Sequence, residues 1–247
     1  MDWSRSSLLL VAHGSSRTPE SAAGLARLAE RIRQRALFER VDIAFWRQDP
    51  FLAEEHLSAA FTYVLPFFAG LGKHTEQLIP ARLRLTGPLT RRDGRQIVYC
   101  PPVGCHPALP ELIARRALSL CGENDLDPAA TALLVIGHGS RDGGASRTPE
   151  SIASALRAYP FAEIGALFLE QPPFARDWAQ LVRSRAVIAQ PLLLSAGMHQ
   201  SEDLPQLFDP TAHPQRRIWL QRGIGSDEEI VAMMLDQIGA AAPEFAR

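Results

Sequence analysis

The stretch LLLVAHGS at residues 8–15 recurs as LLVIGHGS at residues 133–140, and this repetition is the strongest indication of the fold. An RTPES segment follows each copy, at residues 17–21 and 147–151. In both copies a run of apolar residues ends in His-Gly-Ser, which is the pattern of a buried strand followed by a tight turn. The sequence therefore indicates two halves built from the same elements.

The spacing of a second motif supports an internal duplication. A Pro-x7-His-x5-Pro pattern begins at residue 66 and returns at residue 191. Both histidines of the first half thus recur 125 residues later, which gives two matched pairs: His13 with His74, and His138 with His199. We predict two domains, residues 1–124 and 125–247, with the polar stretch at residues 121–128 as the linker.

Each half alternates apolar runs with helix-length segments. The runs are apolar throughout, which is typical of strands covered on both faces. The TPE segments at residues 18–20 and 148–150 place a capping residue, a proline and a carboxylate in the order that begins a helix. We therefore expect an α/β fold of two tandem, doubly wound, four-stranded parallel-sheet domains. The predicted strands are residues 8–13, 40–46, 62–69, 96–100, 132–137, 162–169, 186–194 and 217–221.

Composition argues against several kinds of partner. The net charge is −1 and Lys73 is the single lysine, so the sequence lacks the clustered positive charge that binds nucleic acid. No apolar run approaches the length that crosses a bilayer, and the N-terminal run lacks the cleavage site of a signal peptide. Three cysteines without an export signal argue against a disulfide framework. We expect a cytoplasmic protein that binds neither nucleic acid nor membrane.

The four matched histidines fall where open α/β sheets bind ligands, outside the carboxyl ends of the strands. His13 and His138 end the first predicted strand of each half, and His74 and His199 follow the third. Neutral imidazole is a common metal ligand near neutral pH. One such histidine alone would more often hydrogen-bond to loop backbone, but two matched pairs favour metal binding.

Glu170 is the carboxylate candidate for this site. Aligning residues 166–172 with residues 44–50 places Glu170 opposite Gln48, at the end of the second strand. It could act as a third ligand or as a proton acceptor, and a solvated loop glutamate is the alternative. Lys73 could lower the pKa of the adjacent histidine or meet a substrate carboxylate, and we interpret His106 as a structural residue.

Together with the Pro-Pro-Val-Gly turn at residues 101–104, these motifs resemble the sirohydrochlorin chelatases. These class II chelatases insert cobalt, iron or, in some members, nickel into sirohydrochlorin for cobalamin, siroheme or related cofactors. The resemblance covers about residues 8–120 and 130–238, and the two halves match the long form of the family. It implies that the divalent metal is a substrate rather than a permanently bound cofactor, that the tetrapyrrole is the partner, and that the protein is a monomer or weak oligomer.

The resemblance also implies roles for the site residues. The metal-binding and proton-accepting histidines correspond to His13 and His74 in the first half and to His138 and His199 in the second, with Glu170 at the place of the acidic residue found in some members. Because only the second half has a carboxylate there, we expect its pair to dominate. The alternative is that His13 and His74 dominate, because long members of the family often keep the active histidines in only one half, and that habit points partly to the first.

Two other functions differ from a chelatase in testable ways. A chelatase-derived chaperone that carries metal or tetrapyrrole without turnover stays open, and an insertion assay separates it from an enzyme. A histidine phosphatase is disfavoured, because no arginine precedes either His-Gly pair. No phosphate-binding Gly-x4-Gly-Lys-Ser/Thr loop is present, so we expect no nucleotide to be consumed.

Overall fold

The computed structural model describes residues 2–15, 20–139, 147–192, 203–224 and 228–241, with backbone alone at residues 20 and 21. These residues form two compact units. The first comprises Met1–His106 together with Gly225–Arg247, and the second comprises Pro107–Ile224.

The first unit is built on a five-stranded sheet in the order β2-β1-β3-β5-β4. The first four strands in this order are parallel, and β4 pairs antiparallel with β5. Parallel pairing brings the carboxyl ends of the parallel strands to one rim, which we call the first rim. The strands are β1 (Ser7–Ala12), β2 (Arg40–Phe45), β3 (Phe61–Pro66), β4 (Leu89–Arg92) and β5 (Arg95–Tyr99).

Both faces of this sheet are covered, which explains why its central strands β1 and β3 are buried along nearly their whole length. One face packs on a cluster that includes Leu52, Leu57 and Leu83, contributed by the segments after β2 and around the short helix α2 (Ile79–Arg82). Helices α1 (Glu20–Gln34) and α7 (Glu228–Ala241) contact each other and the strands, and they cover the other face.

The second unit repeats this plan on a four-stranded parallel sheet in the order β7-β6-β8-β9. Its core includes the fully buried Trp178, which stacks on Phe208 and donates its indole N–H to the carbonyl of Leu207 at 2.8 Å. The strands are β6 (Thr131–Gly137), β7 (Glu163–Phe168), β8 (Ala186–Pro191) and β9 (Arg217–Leu220), and the helices are α3 (Leu109–Glu123), α4 (Thr148–Leu156), α5 (Trp178–Leu181) and α6 (Leu204–Leu207).

The predicted fold class is confirmed, and all eight predicted strands are present, but the first sheet contains one strand more than predicted. Strand β4 enters through a hairpin whose turn is Asp93-Gly94, with φ of 50° and 71°. Two residues with positive φ match the right-handed twist of a hairpin, and Asp-Gly is a preferred pair for this turn. The expectation of a four-stranded first sheet was therefore wrong.

Two predicted boundaries also differ from the structure. Helix α4 begins at Thr148, so the preceding Arg147 occupies the capping position and makes no side-chain capping bond. Cys121, predicted to start the linker, is buried in the last turn of α3. A helix end defined only by local sequence shifts easily by a residue or two.

The compact units do not follow the predicted division at residues 124 and 125. Helix α3, which ends the first half of the sequence, lies in the second unit, where it contacts α4. Helix α7, which ends the second half, lies in the first unit, where Gln237 donates to the carbonyls of Pro101 and Pro102. As boundaries of the sequence repeat, residues 1–124 and 125–247 stay a prediction.

Every helix in the part of the chain that the structure describes is too short or too polar to span a bilayer.

Candidate metal site

His13 stands at the first rim, directly after β1. Its ring nitrogen Nδ1 lies 2.9 Å from the carbonyl oxygen of Gly14. A carbonyl oxygen can only accept, so Nδ1 carries the proton and Nε2 carries the lone pair. This is the tautomer that coordinates a metal or accepts a proton through Nε2.

Gly14 allows the chain to turn directly after this histidine. Its φ is +68°, in the left-handed region that favours glycine. A Cβ at this position would lie 2.8 Å from Cβ of Phe45 and 2.9 Å from Cγ of Gln48. Gln48 accepts a hydrogen bond from the backbone N–H of Ser15 at 2.7 Å. The turn is therefore held both by close packing and by a side-chain hydrogen bond.

His74 reaches the same rim from a π-helical turn, His74–Leu78, which runs directly into α2. Such turns leave carbonyls outside the regular helical pattern and are frequent at functional sites. Here the hydroxyl of Tyr99 donates to the carbonyl of Thr75 at 2.7 Å, and burial raises the pKa of Tyr99 well above its usual value. The hydroxyl of Thr75 in turn accepts a hydrogen bond from the N–H of Gly72 at 3.0 Å.

The rings of His13 and His74 lie with their centroids 4.9 Å apart and their planes at 79°. A metal ion bound by two imidazole nitrogens at about 2.0–2.1 Å holds these nitrogens about 3–3.5 Å apart, a separation within reach of this pair. Trp46 meets the ring of His74 edge-on at 5.8 Å, and Phe68 stacks on it at 6.0 Å.

This environment keeps the His74 ring neutral. Burial lowers the pKa of His74 below 6.5, and the nearby His13, Arg47 and Lys73 lower it further, because each repels a protonated His74 ring whenever it is itself charged. A neutral imidazole is the form that binds metal, so His74 is in its ligand form at neutral pH.

The second half reproduces the first-strand histidine with the same geometry. His138 follows β6, its Nδ1 lies 3.1 Å from the carbonyl oxygen of Gly139, and the φ of Gly139 is +79°. His138 therefore has the same tautomer as its counterpart. Its predicted partner, His199, lies outside the described residues.

The structure corrects the position of Glu170. The backbone N–H of Glu170 donates to the carbonyl of His138 at 2.9 Å, and the backbone N–H of Arg47 makes the equivalent bond to His13, also at 2.9 Å. Glu170 thus lies opposite Arg47, and the predicted match with Gln48 was wrong by one residue. Gln171, which packs against Gly139, is the counterpart of Gln48.

The comparisons with known proteins agree with this repeated architecture. The CbiX family model matches residues 7–120 and again residues 132–241. The chain belongs to the CbiX family. Among curated relatives, this chain is 29% identical to a probable sirohydrochlorin cobaltochelatase of Halobacterium salinarum. The match covers 96% of this chain and 92% of that protein.

Solved structures show the same fold as this CbiX-family chain. One is CbiX described as the terminal enzyme for biosynthesis of siroheme in denitrifying bacteria, with a TM-score of 0.72 and 26% identity over 95% of this chain and 98% of that one. Another is a multi-domain protein of Deinococcus radiodurans with structural similarity to chelatases, with a TM-score of 0.79 and 26% identity. This match covers 99% of the present chain but only 56% of that longer protein.

His106 has the structural role that the sequence predicts. Its ring is buried, and Nε2 lies 3.0 Å from a carboxylate oxygen of Asp236 on α7. Nearby in sequence, burial raises the pKa of Cys100 to about 12, which keeps this thiol protonated. Within the described part of this CbiX-family chain, no group of three or more His, Cys, Asp or Glu side chains is placed to hold a metal ion.

Sequence reasoning missed the residues that surround His74 in this CbiX-family chain. Trp46, Arg47 and Phe68 were not identified as site residues. A better alignment of the two halves contained the necessary information for Arg47 alone. Residues 45–51, FWRQDPF, match residues 168–174, FLEQPPF, at four positions without a gap, and this register places Arg47 opposite Glu170.

Proposed function

We propose that this protein is a sirohydrochlorin chelatase that inserts a divalent metal ion, cobalt or iron, into the tetrapyrrole. The observation that carries the proposal is the repeated His-Gly turn: His13 and His138 have the same hydrogen bond, the same tautomer and the same place at a sheet rim. Membership of the CbiX family and the 29% identity to a probable sirohydrochlorin cobaltochelatase support the activity.

Metal insertion into the tetrapyrrole needs a group that accepts a proton and a group that binds the incoming metal ion. Imidazole can do both. Insertion releases the two protons of the pyrrole N–H groups as the metal ion forms bonds to the ring nitrogens. An Nε2 lone pair can bind the incoming ion or take one of these protons. The charge balances without a nucleotide, because one divalent cation replaces two protons. The metal is a substrate in this scheme, and no permanently bound cofactor takes part.

We propose His13, His74, His138 and His199 as the metal-binding residues, with the second-half pair dominant. The reason is the residue whose backbone N–H bonds to each histidine carbonyl, which is Glu170 in the second half and Arg47 in the first. A carboxylate favours a divalent cation, and a guanidinium disfavours it. Supporting groups of this kind change metal affinity or activity by about 10–100-fold. The proposed compartment is the cytoplasm, and the proposed assembly is a monomer or weak oligomer.

An insertion assay tests the activity. The spectral change of sirohydrochlorin is followed with cobalt, iron and nickel side by side, with and without the protein. Insertion well above the rate without protein supports an enzyme. Tight metal or tetrapyrrole binding with no acceleration would instead show a carrier and overturn the proposal.

Paired substitutions test the division between the halves. The variant His138→Ala/His199→Ala is expected to lose most of the insertion rate, and His13→Ala/His74→Ala is expected to keep more of it. His56→Ala is the matched control, because the ring of His56 is bonded to the carbonyl of Ala53. If only the first-half variant loses activity, the assignment of the dominant pair is wrong.

A further inference from the structure

Arg47 occupies the position that Glu170 occupies in the other half. Each residue follows the strand beside its histidine, and each gives its backbone N–H to the histidine carbonyl at 2.9 Å. The neighbouring residues match as well: Phe45 and Phe168 pack against the glycines that follow the two histidines. The two backbones are therefore alike at this point, and the side chains carry opposite charges.

The surroundings of Arg47 form a cationic and aromatic site. Lys73 precedes His74, and both Lys73 and Arg47 are exposed and close enough to influence the charge of His74. The guanidinium of Arg82 lies 5.4 Å from the ring centre of Trp46. Within the described residues, the ion pairs include neither Arg47 nor Lys73.

We propose, on the basis of the function proposed above, that Arg47 makes the first-half site a receptor for a carboxylate of the tetrapyrrole and weakens its binding of divalent metal. Arg47 is then a specificity-determining residue. The second half, with Glu170 at the same place, keeps its affinity for the metal ion.

The chemistry of the groups supports this division. A guanidinium presents two parallel N–H donors that match the two oxygens of a carboxylate, and such charge-assisted pairs are the stronger hydrogen bonds. Lys73 adds a second positive charge beside the same histidine. Trp46 and Phe68 give the site flat apolar surfaces suited to an aromatic or conjugated ring.

The metal arm of the test is a cobalt titration of the full chain by calorimetry. Wild type is expected to bind one tight equivalent and Arg47→Glu two, because the substitution raises first-half affinity by about 10–100-fold. Arg91→Glu is the matched control, since Arg91 is exposed on β4 and pairs with Gln96, near the opposite rim of the sheet. It should still bind one equivalent.

The carboxylate arm uses metal-free uroporphyrin, a fluorescent tetrapyrrole with eight carboxylates, as the probe. Arg47→Glu is expected to weaken its binding by tenfold or more, and Arg47→Lys should retain much of the affinity. Arg91→Glu, with the same change of charge, should change it far less. Equal losses in Arg47→Glu and Arg91→Glu would show only a general charge effect and would overturn the inference.

A further variant covers the case in which Arg47→Glu does not fold. His138→Ala in the otherwise natural chain should lose the tight cobalt equivalent, and a tight equivalent that survives would overturn the inference. The proposed function is tested by a different measurement: it fails if the wild-type protein does not accelerate metal insertion. The cobalt and uroporphyrin titrations still report on Arg47 in that case, because neither depends on turnover.

Discussion

Replacing Gly14 by alanine should destabilise the first unit and displace His13. The new Cβ would lie 2.8 Å from Cβ of Phe45 and 2.9 Å from Cγ of Gln48, both well inside van der Waals contact. Phe45 is almost fully buried at the end of β2, so it cannot move aside at low cost. The backbone is also strained for alanine, because φ is +68°.

Two contributions add up to the expected loss of unfolding free energy. The left-handed conformation costs a non-glycine residue about 1–2 kcal/mol, and overpacking a filled site costs about 1–3 kcal/mol. Gly14→Ala should therefore lower the free energy of unfolding by about 2–5 kcal/mol. Alanine substitutions at two other glycines allow the backbone and packing contributions to be measured separately. Gly94 has a φ of +71° with open space around it, so Gly94→Ala should show only the strain of about 1–2 kcal/mol.

Gly24 supplies the opposite control. It lies within α1, and a Cβ there would meet nothing within 4 Å. Since alanine is the better helix former, Gly24→Ala should stabilise the protein by about 0.5–1 kcal/mol. The assay is thermal unfolding followed by circular dichroism, in which 1 kcal/mol moves the midpoint by about 2–4 °C for a chain of this size. A Gly14→Ala midpoint equal to that of Gly94→Ala would show that the close contacts with Phe45 and Gln48 cost no stability.

Three more outcomes are expected. Burial and neighbouring positive charges hold the pKa of His74 below 6.5, so in a ¹H–¹³C NMR titration its ring should protonate at lower pH than an ordinary histidine. Because the folded pKa lies below the unfolded one, this group's contribution to stability is intact above about pH 6.5 and falls as the pH drops through the folded value. The weaker cobalt affinity of the first-half site should fall over the same range. His106→Ala removes the bond to Asp236 and should cost about 1–3 kcal/mol in urea unfolding, with cobalt stoichiometry unchanged. Trp178→Ala should cost about 3–5 kcal/mol, because the ring is fully buried, and a smaller loss would show that the cavity collapses.

The strands were predictable because most of them are runs of predominantly apolar residues. The central strands β1, β3, β6 and β8 are buried on both faces along nearly their whole length, and a continuous apolar run indicates this directly. Strand β4 was missed because an edge strand lacks this pattern: Arg91 is exposed and Arg92 is half-buried. The Asp93-Gly94 pair was the available indication of the hairpin.

The location of the last helix in each half was not predictable from local sequence. An amphipathic pattern shows that α3 and α7 each bury one face, but it does not show against which strands or helices. Their assignment to the second and first unit depends on tertiary packing alone. For the same reason, the aromatic residues beside His74 could not be found: Trp46 and Phe68 meet this ring only after the strands have paired.

The contrast between Arg47 and Glu170 indicates what the two halves have in common and what separates them. The backbone at this position contributes only an N–H to the histidine carbonyl, which any residue except proline can donate. Structural demands on the turn are met by other residues, because Gln48 and Gln171 pack against the two glycines. Nothing in the shared turn therefore requires a particular charge at this position. Under the proposed division of function, the two charges reflect what each half binds, a cation beside Glu170 and an anion beside Arg47.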